Sequence, residues 1–385
     1  MLEIKNKNEC CGCSACYSIC PKNAISMVSD EEGFLYPQVN ESLCVKCGLC
    51  NTVCPYITKK RPEKDLESTF VAVNKNEEQR SISSSGGMFL ALATCIIEKD
   101  GVVFGAAYDD NWCAIHKYVD NDTDLLRLVG SKYMQSNLGD SFNTIKALLR
   151  NNKLVLFVGT TCQVNGLINF LGKDYENLFT VDFICLGVPS PMIWRDYLKT
   201  YFKDYEINYI NFKDKSLGWH TFSLDIQGKK KRFVRNGRET YYFTGYFRHL
   251  YTRPSCSNCT YKLGNRCSDI TISDCWGYNK IAPEMDDNKG MSSVVCHSEK
   301  GLNFFNSVKA GLKWKKGEFT DVLKYNPGYR LSSEQGNNRE AFWSDYRTMH
   351  KDRLFKKYCK PASTNIFRRI ASKVKSVIMS GSKVS

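Results

Sequence analysis

Short apolar runs bounded by glycine or charge recur along most of the chain and predict buried strands over 70–73, 101–107, 153–158 and 179–184. Segments with helical apolar spacing lie between them and predict helices over 87–98, 141–150, 165–171 and 192–202. Such alternation predicts a sheet covered by helices. From 207 to 233, polar and aromatic residues alternate, which predicts antiparallel pairing. Residues 59–65, Lys-Lys-Arg-Pro-Glu-Lys-Asp, read as a linker. The chain thus divides into a cysteine-dominated unit over 1–58, a larger unit over 68–330 and a basic tail over 331–385. In the tail, Phe367, Ile370, Val374, Val377 and Ile378 recur at helical spacing among Arg368, Arg369, Lys373 and Lys375. That pattern predicts a short basic amphipathic helix suited to peripheral contact with an anionic membrane or a partner, or else a solvated helix.

Composition narrows the function classes. An apolar fraction of 42% over 385 residues is enough for a real core. No apolar run approaches the ~20 residues of a membrane span, and no targeting segment precedes the first cysteine, so a cytoplasmic protein is expected. The formal charge of +14 invites a nucleic-acid reading. No nucleic-acid motif accompanies it, and three oxidised iron–sulfur cubes would lower it to about +8. Nineteen cysteines in a reduced compartment argue for metal rather than disulfides.

Two Cys-x-x-Cys-x-x-Cys-x-x-x-Cys-Pro runs carry the clearest chemistry. Cys10, Cys13, Cys16 and Cys20 precede Pro21; Cys44, Cys47, Cys50 and Cys54 precede Pro55. This is the ligand spacing of bacterial ferredoxins with two 4Fe-4S clusters, in which the fourth cysteine of each run serves the other cluster. The crossed pattern gives one set of Cys10, Cys13, Cys16 and Cys54 and another of Cys44, Cys47, Cys50 and Cys20. Three thiolates two residues apart suit one corner of a cube, and the fourth is expected where a helix begins. Cys11 is spare, a filler beside the cluster.

Further along, Cys162 follows one strand and Cys185 ends another, while Cys256 and Cys259 form a loop pair. Two strand ends and a paired loop can present four thiolates to one point, although a buried cysteine at a strand end is usually a small hydrophobe. Ser83, Ser84 and Ser85 lead into Gly86-Gly87 at a helix start, which suits a pyrophosphate; the serines are expected to cap that helix. The alternative is an ordinary capped helix. No Gly-x-Gly-x-x-Gly follows a strand, so no nicotinamide site is expected.

With these motifs stand Gly130-Ser131-Lys132-Tyr133, Gly159-Thr160-Thr161-Cys162-Gln163-Val164-Asn165-Gly166-Leu167, Cys185-Leu186-Gly187-Val188-Pro189-Ser190-Pro191, Arg253-Pro254-Ser255-Cys256, Ser268-Asp269-Ile270-Thr271 and Asp274-Cys275-Trp276-Gly277. Together they resemble the beta subunits of coenzyme F420 hydrogenases and dehydrogenases. The likeness is to bacterial members with a front ferredoxin domain, often found with polysaccharide biosynthesis proteins. The resemblance implies an α+β chain: a small bacterial-ferredoxin-type domain, then a larger α/β flavoprotein domain with a mixed sheet covered by helices. It implies a third 4Fe-4S cluster on Cys162, Cys185, Cys256 and Cys259, FAD near residues 83–87, and Lys132 beside the flavin. Thr161 and Leu186 depart from the family, which usually has proline and, in the bacterial branch, often histidine there. Cys267 and Cys275 are extra and offer a zinc alternative with Cys256 and Cys259.

The expected function is an iron–sulfur flavin oxidoreductase. A redox partner protein or small electron carrier would exchange electrons with the front clusters, and an organic substrate or deazaflavin would exchange hydride with the flavin. His220 and His249 are candidate acids near it, or packing histidines. The alternatives are an electron-transfer subunit without its own substrate and a zinc-stabilised scaffold.

Overall fold

Each apolar run becomes a strand one to three residues longer, because the run marks only the part buried on both faces. In a computed structural model, which describes residues 2, 4, 6–58, 67–262 and 266–362, β1 (Ile25–Ser29) and β2 (Leu35–Val39) form a hairpin in the front unit. The large unit holds β3 (Ser68–Asn74), β4 (Val102–Tyr108), β5 (Ala114–Val119), β6 (Val155–Thr160) and β7 (Leu178–Phe183). β8 (Ile207–Asp214), β9 (Ser223–Gly228) and β10 (Arg232–Asn236) follow, then β11 (Ile270–Asp274), β12 (Ser292–Cys296) and β13 (Leu312–Lys316). Eight of these make one mixed sheet in the order β13-β3-β12-β11-β7-β6-β4-β5. Its centre is parallel (β4, β6, β7, β11) and its flanks are antiparallel. The antiparallel pairing expected over 207–233 is the separate sheet β10-β9-β8.

Side chains alternate across the central strands, so each strand feeds two cores. Val103, Leu156 and Val181 pack under the helices Met88–Ile97 and Glu299–Val308. Phe104, Val155 and Phe157 pack under Ser141–Arg150 and Thr161–Leu171, and Cys13 and Ala15 of the front unit join that second core. A third, aromatic core gathers Trp194, Phe212, Tyr242 and Phe243 with Phe342 and Phe355 from the helices Arg339–Thr348 and Lys351–Tyr358.

Two local expectations change. The helix expected over 165–171 begins at Thr161, because Thr160 and Gln163 form a reciprocal capping box that starts it four residues earlier. In the front unit the helices lie within the cysteine runs, Ala15–Ile19 around Cys16 and Leu49–Thr52 around Cys50, entered through left-handed Ser14 and Gly48. Cys20 therefore ends a helix, whereas Cys54 does precede one, Pro55–Thr58. The linker 59–65 and the amphipathic segment 367–378 lie outside the described residues. No described helix is long and apolar enough to cross a membrane.

Candidate functional site

The front cysteines line two cavities. One, about 410 Å³ and open to solvent, is walled by Cys20, Cys44, Cys47 and Cys50 with Leu2, Ile25 and Val39. The other, about 340 Å³, is walled by Cys10, Cys11, Cys13, Cys16 and Cys54. The fourth cysteine of each run has thus crossed to the other run's cavity. The β1–β2 hairpin makes this exchange, because it folds the chain between Cys20 and Cys44 back on itself. Burial, reinforced by the Cys10, Cys54 and Cys50 thiols, pushes the Cys16 thiol well above its ordinary value. Thiols held this close resist losing their protons together, and a cationic iron–sulfur centre relieves that repulsion. The donor set fits such a group.

The third group also converges. Cys162 sits in the first turn of Thr161–Leu171, Cys185 follows β7, and Cys256 lies in the short helix Pro254–Asn258 with Cys259 at its end. Burial pushes the Cys185 thiol up to about 11, with Cys162 and Cys259 adding to it against the opposing Lys262. Cys256 is raised by burial and then by Cys185, Cys162 and Cys259. Gly187 lets the loops close, since a Cβ there would stand 3.1 Å from that of Cys256.

Cys11 is more than filler. Its thiol neighbours both Cys13 and Cys162, so it bridges the second front cavity and the third group. Gly166 brings the two together: a Cβ there would stand 2.8 Å from the Cys13 sulfur. Cys267 and Cys275 do not join Cys256 and Cys259. They flank β11 at opposite ends, Cys267 in the core of Cys13 and Phe157 and Cys275 in that of Val71 and Trp219, so the four-cysteine zinc alternative is not assembled.

A chain of polar residues missed in the sequence orients Cys162. Buried His116 donates from Nε2 to the Val158 carbonyl at 3.1 Å, and its Nδ1 meets the Ser136 hydroxyl at 2.6 Å. Burial pushes its pKa down to about 4. Ser136 accepts from Gln163 at 3.2 Å, Gln163 accepts from the Thr160 N–H at 2.9 Å, and the Thr160 hydroxyl stands 3.1 Å from the Cys162 sulfur. Below them, Arg266 pairs with Asp182 at 2.8 Å, both within 1% of full burial, and also donates to Thr161.

The serine–glycine segment lies between β3 and β12. Gly86 is required there, because a Cβ would meet the Ala72 oxygen at 2.6 Å and the Ser292 nitrogen at 2.7 Å. Gly87 adopts φ +88 and caps Met88–Ile97 without any side-chain hydrogen bond. The serines do not cap that helix: Ser83 ends the preceding helix Glu77–Ile82 and bonds Gln79, and Ser85 bonds Met291. The first turn of Met88–Ile97 therefore keeps backbone donors free of side-chain caps, which suits a phosphate better than the expected arrangement. Ser84 accepts from the Ser131 N–H at 2.8 Å, tying the segment to Gly130-Ser131-Lys132. The Lys132 amine is enclosed by the carbonyls of Leu128, Val129 and Gly130, and burial pulls its pKa down to about 7.

Further cations went unnoticed in the sequence. Lys215 donates to the Arg80 and Ser85 carbonyls, each at 2.7 Å. Lys213 is buried against Asp274 at 2.9 Å; burial pulls its pKa down, but Asp274 and Tyr133 outweigh it and hold it above its ordinary value. Trp276 stacks on Trp219 beside this pair. Of the candidate acids, His220 pairs with Asp286 at 2.9 Å and stacks on Tyr278, and His249 lies in the turn after Tyr241–Phe247.

Comparison with known proteins agrees with this architecture. Residues 152–321 match the family described as the C terminus of the coenzyme F420 hydrogenase/dehydrogenase beta subunit, and residues 9–57 match the 4Fe-4S dicluster domain. The coenzyme F420-dependent sulfite reductase of Methanocaldococcus jannaschii is 26% identical over 355 residues; the match covers 88% of this chain but only 52% of that protein. An uncharacterised ferredoxin from the same organism is 36% identical over 79 residues, covering 20% of this chain and 94% of the ferredoxin. A chain of the F420-reducing nickel–iron hydrogenase complex from Methanosarcina barkeri superposes with a TM-score of 0.46 at 15% identity, covering 76% of this chain and 93% of that one. With its dicluster ferredoxin front and matching large unit, the chain is an iron–sulfur electron-transfer protein that belongs to the coenzyme F420 hydrogenase/dehydrogenase beta-subunit family.

Proposed function

We propose that this protein is an iron–sulfur flavoprotein oxidoreductase that joins one-electron traffic at its front to hydride exchange with an organic substrate or deazaflavin. Cys10, Cys13, Cys16 and Cys54 would hold one 4Fe-4S cluster and Cys20, Cys44, Cys47 and Cys50 another. Cys162, Cys185, Cys256 and Cys259 would hold a third. Ser83, Ser84, Ser85, Gly86, Gly87 and Lys132 would hold FAD. When bound, such clusters carry single electrons and a flavin takes one or two, so the set joins the two kinds of transfer. The chain's own part is placement. Gly166 and Cys11 bring the front unit against the helix of Cys162, while Gly86, Gly87 and the Ser84–Ser131 contact shape a backbone cradle. Lys132, Lys213 and Lys215 supply positive charge around it.

The observation that carries this reading is the contact of Cys11 with both Cys13 and Cys162, which abuts two cysteine groups far apart in sequence. An external one-electron carrier would approach the other front cavity, where Cys47 is exposed among exposed Leu43, Val45 and Leu49. Anaerobic reconstitution tests the whole: about twelve irons with matching sulfide, from three four-iron sites, and one flavin are expected. Eight irons would remove the third site, and full iron without flavin would remove the cradle.

A second reading, an electron-transfer subunit serving a catalytic partner, is favoured by the match spanning only 52% of the sulfite reductase. Bleaching of the bound flavin by a small hydride donor, with no other protein present, would exclude it.

A further inference from the structure

Arg253 lies three residues before Cys256 yet is directed into the front unit. It is 1% exposed. Its Nε donates to the Cys10 carbonyl at 2.7 Å, and its Nη2 donates to the Leu35 carbonyl at 3.0 Å and lies 3.6 Å from the Cys10 sulfur. Its Nη1 donates to Gln135 at 3.0 Å, and the guanidinium sits over the Tyr36 ring, 4.1 Å from its centroid. At its own end, the Arg253 N–H donates to the Val188 carbonyl at 2.9 Å, and its carbonyl accepts from the Cys256 N–H at 3.0 Å. Gly12 makes room for it, since a Cβ there would stand 3.0 Å from Nη1. Among the described residues no carboxylate bonds this guanidinium, so the buried charge faces a carbonyl pair, an amide, a ring and a cysteine sulfur.

A buried cation with this set of partners is costly unless something anionic answers it. Arg is suited to the place: its planar fork meets several acceptors at once and its charge is permanent. We propose that Arg253 is a positioning residue that locks the site of Cys10, Cys13, Cys16 and Cys54 to the loop of Cys256, and that its charge raises the reduction potential of that front site relative to the site of Cys20, Cys44, Cys47 and Cys50. The inference rests on the ligand assignment proposed above. Reduction adds negative charge, and a fixed cation in a low-dielectric setting favours the more negative state. The gradient favours electrons moving inward, from the outer cavity to the one that abuts Cys162.

The test is an EPR-monitored redox titration of the reconstituted full chain as wild type, Arg253→Gln and Gln135→Glu. Gln135→Glu keeps the side-chain shape and Arg253 itself but answers its charge, so it serves where Arg253→Gln fails to load. In each variant the reduction equilibrium of the Cys10 site is expected to shift at least about tenfold toward the oxidised form, about 59 mV for a one-electron couple. The Cys20 site, which Arg253 does not touch, should stay put. Unchanged potentials, or an equal shift at both sites, would overturn the inference. A wild type without two separable front signals would overturn the ligand assignment and the inference together, and this shows before any variant is measured.

Discussion

The Ser84 hydroxyl accepts the backbone N–H of Ser131 at 2.8 Å, joining two motifs 47 residues apart. The two loops they belong to flank the N-terminus of Met88–Ile97, so this one contact sets the width of the proposed phosphate cradle. Ser84→Ala is expected to cost about 1 kcal/mol of FAD binding, roughly fivefold in Kd. Titration of flavin-free protein by fluorescence measures it, with iron content unchanged. An unaltered Kd would separate the contact from the flavin.

The crossed cysteine sets give a pairwise expectation. Cys54→Ser and Cys10→Ser strike the same cavity, so the double variant should lose no more than the roughly four irons lost by either alone. Cys54→Ser with Cys44→Ser strikes both and should lose about eight. Iron and sulfide analysis after anaerobic reconstitution distinguishes the crossed sets from sets confined to each run.

Cys11 and Cys162 are neighbours with different expected roles. Cys162→Ser should remove about four irons, and Cys11→Ser none. If instead Cys11→Ser costs iron, Cys11 is itself a ligand.

Lys132 supplies the pH dependence. Burial pulls its pKa down to about 7, so the flavin-free protein loses this charge as pH rises through neutrality. A bound phosphate favours the charged form and raises the pKa again. FAD affinity should therefore be flat below about pH 7 and fall above it, until the pKa of the loaded state is passed. Lys132→Met should abolish that slope, and Kd measured from pH 6 to 9 would show it.

The Arg266–Asp182 pair is buried at both ends. Arg266→Met leaves the Asp182 carboxylate without its countercharge and should cost about 3–5 kcal/mol, read as a lower denaturant midpoint. Because Arg266 also donates to Thr161 beside Cys162, iron at the third site should fall with it. The double replacement with Asp182→Leu should recover part of the stability.

Much of this architecture was legible from one dimension. Strand runs such as 101–107 and 153–158 were readable because both faces of a central strand are buried, so its apolar character is continuous. The helix over 141–150 matched to the residue. The start of Thr161–Leu171 was not readable from apolar spacing, because a polar capping box sets it. The serines of 83–85 were read as helix caps, yet their hydroxyls bond Gln79, Ser131 and Met291, partners that only folding supplies.

By itself the sequence determined the chemistry of the thiols and their local grouping. Ligand spacing within eleven residues is a property of short loops, and a loop needs no distant contact to bring its own cysteines together. The tertiary structure decided which groups meet. The β1–β2 hairpin lines Cys20 and Cys54 up with each other's runs, and Gly166 lets Cys13 approach the helix of Cys162. Arg253 and Lys213 looked like ordinary cations, and only burial beside Cys10 and Asp274 gives their charges weight. Charge acts through distance and the surrounding medium, and neither is written in the order of residues.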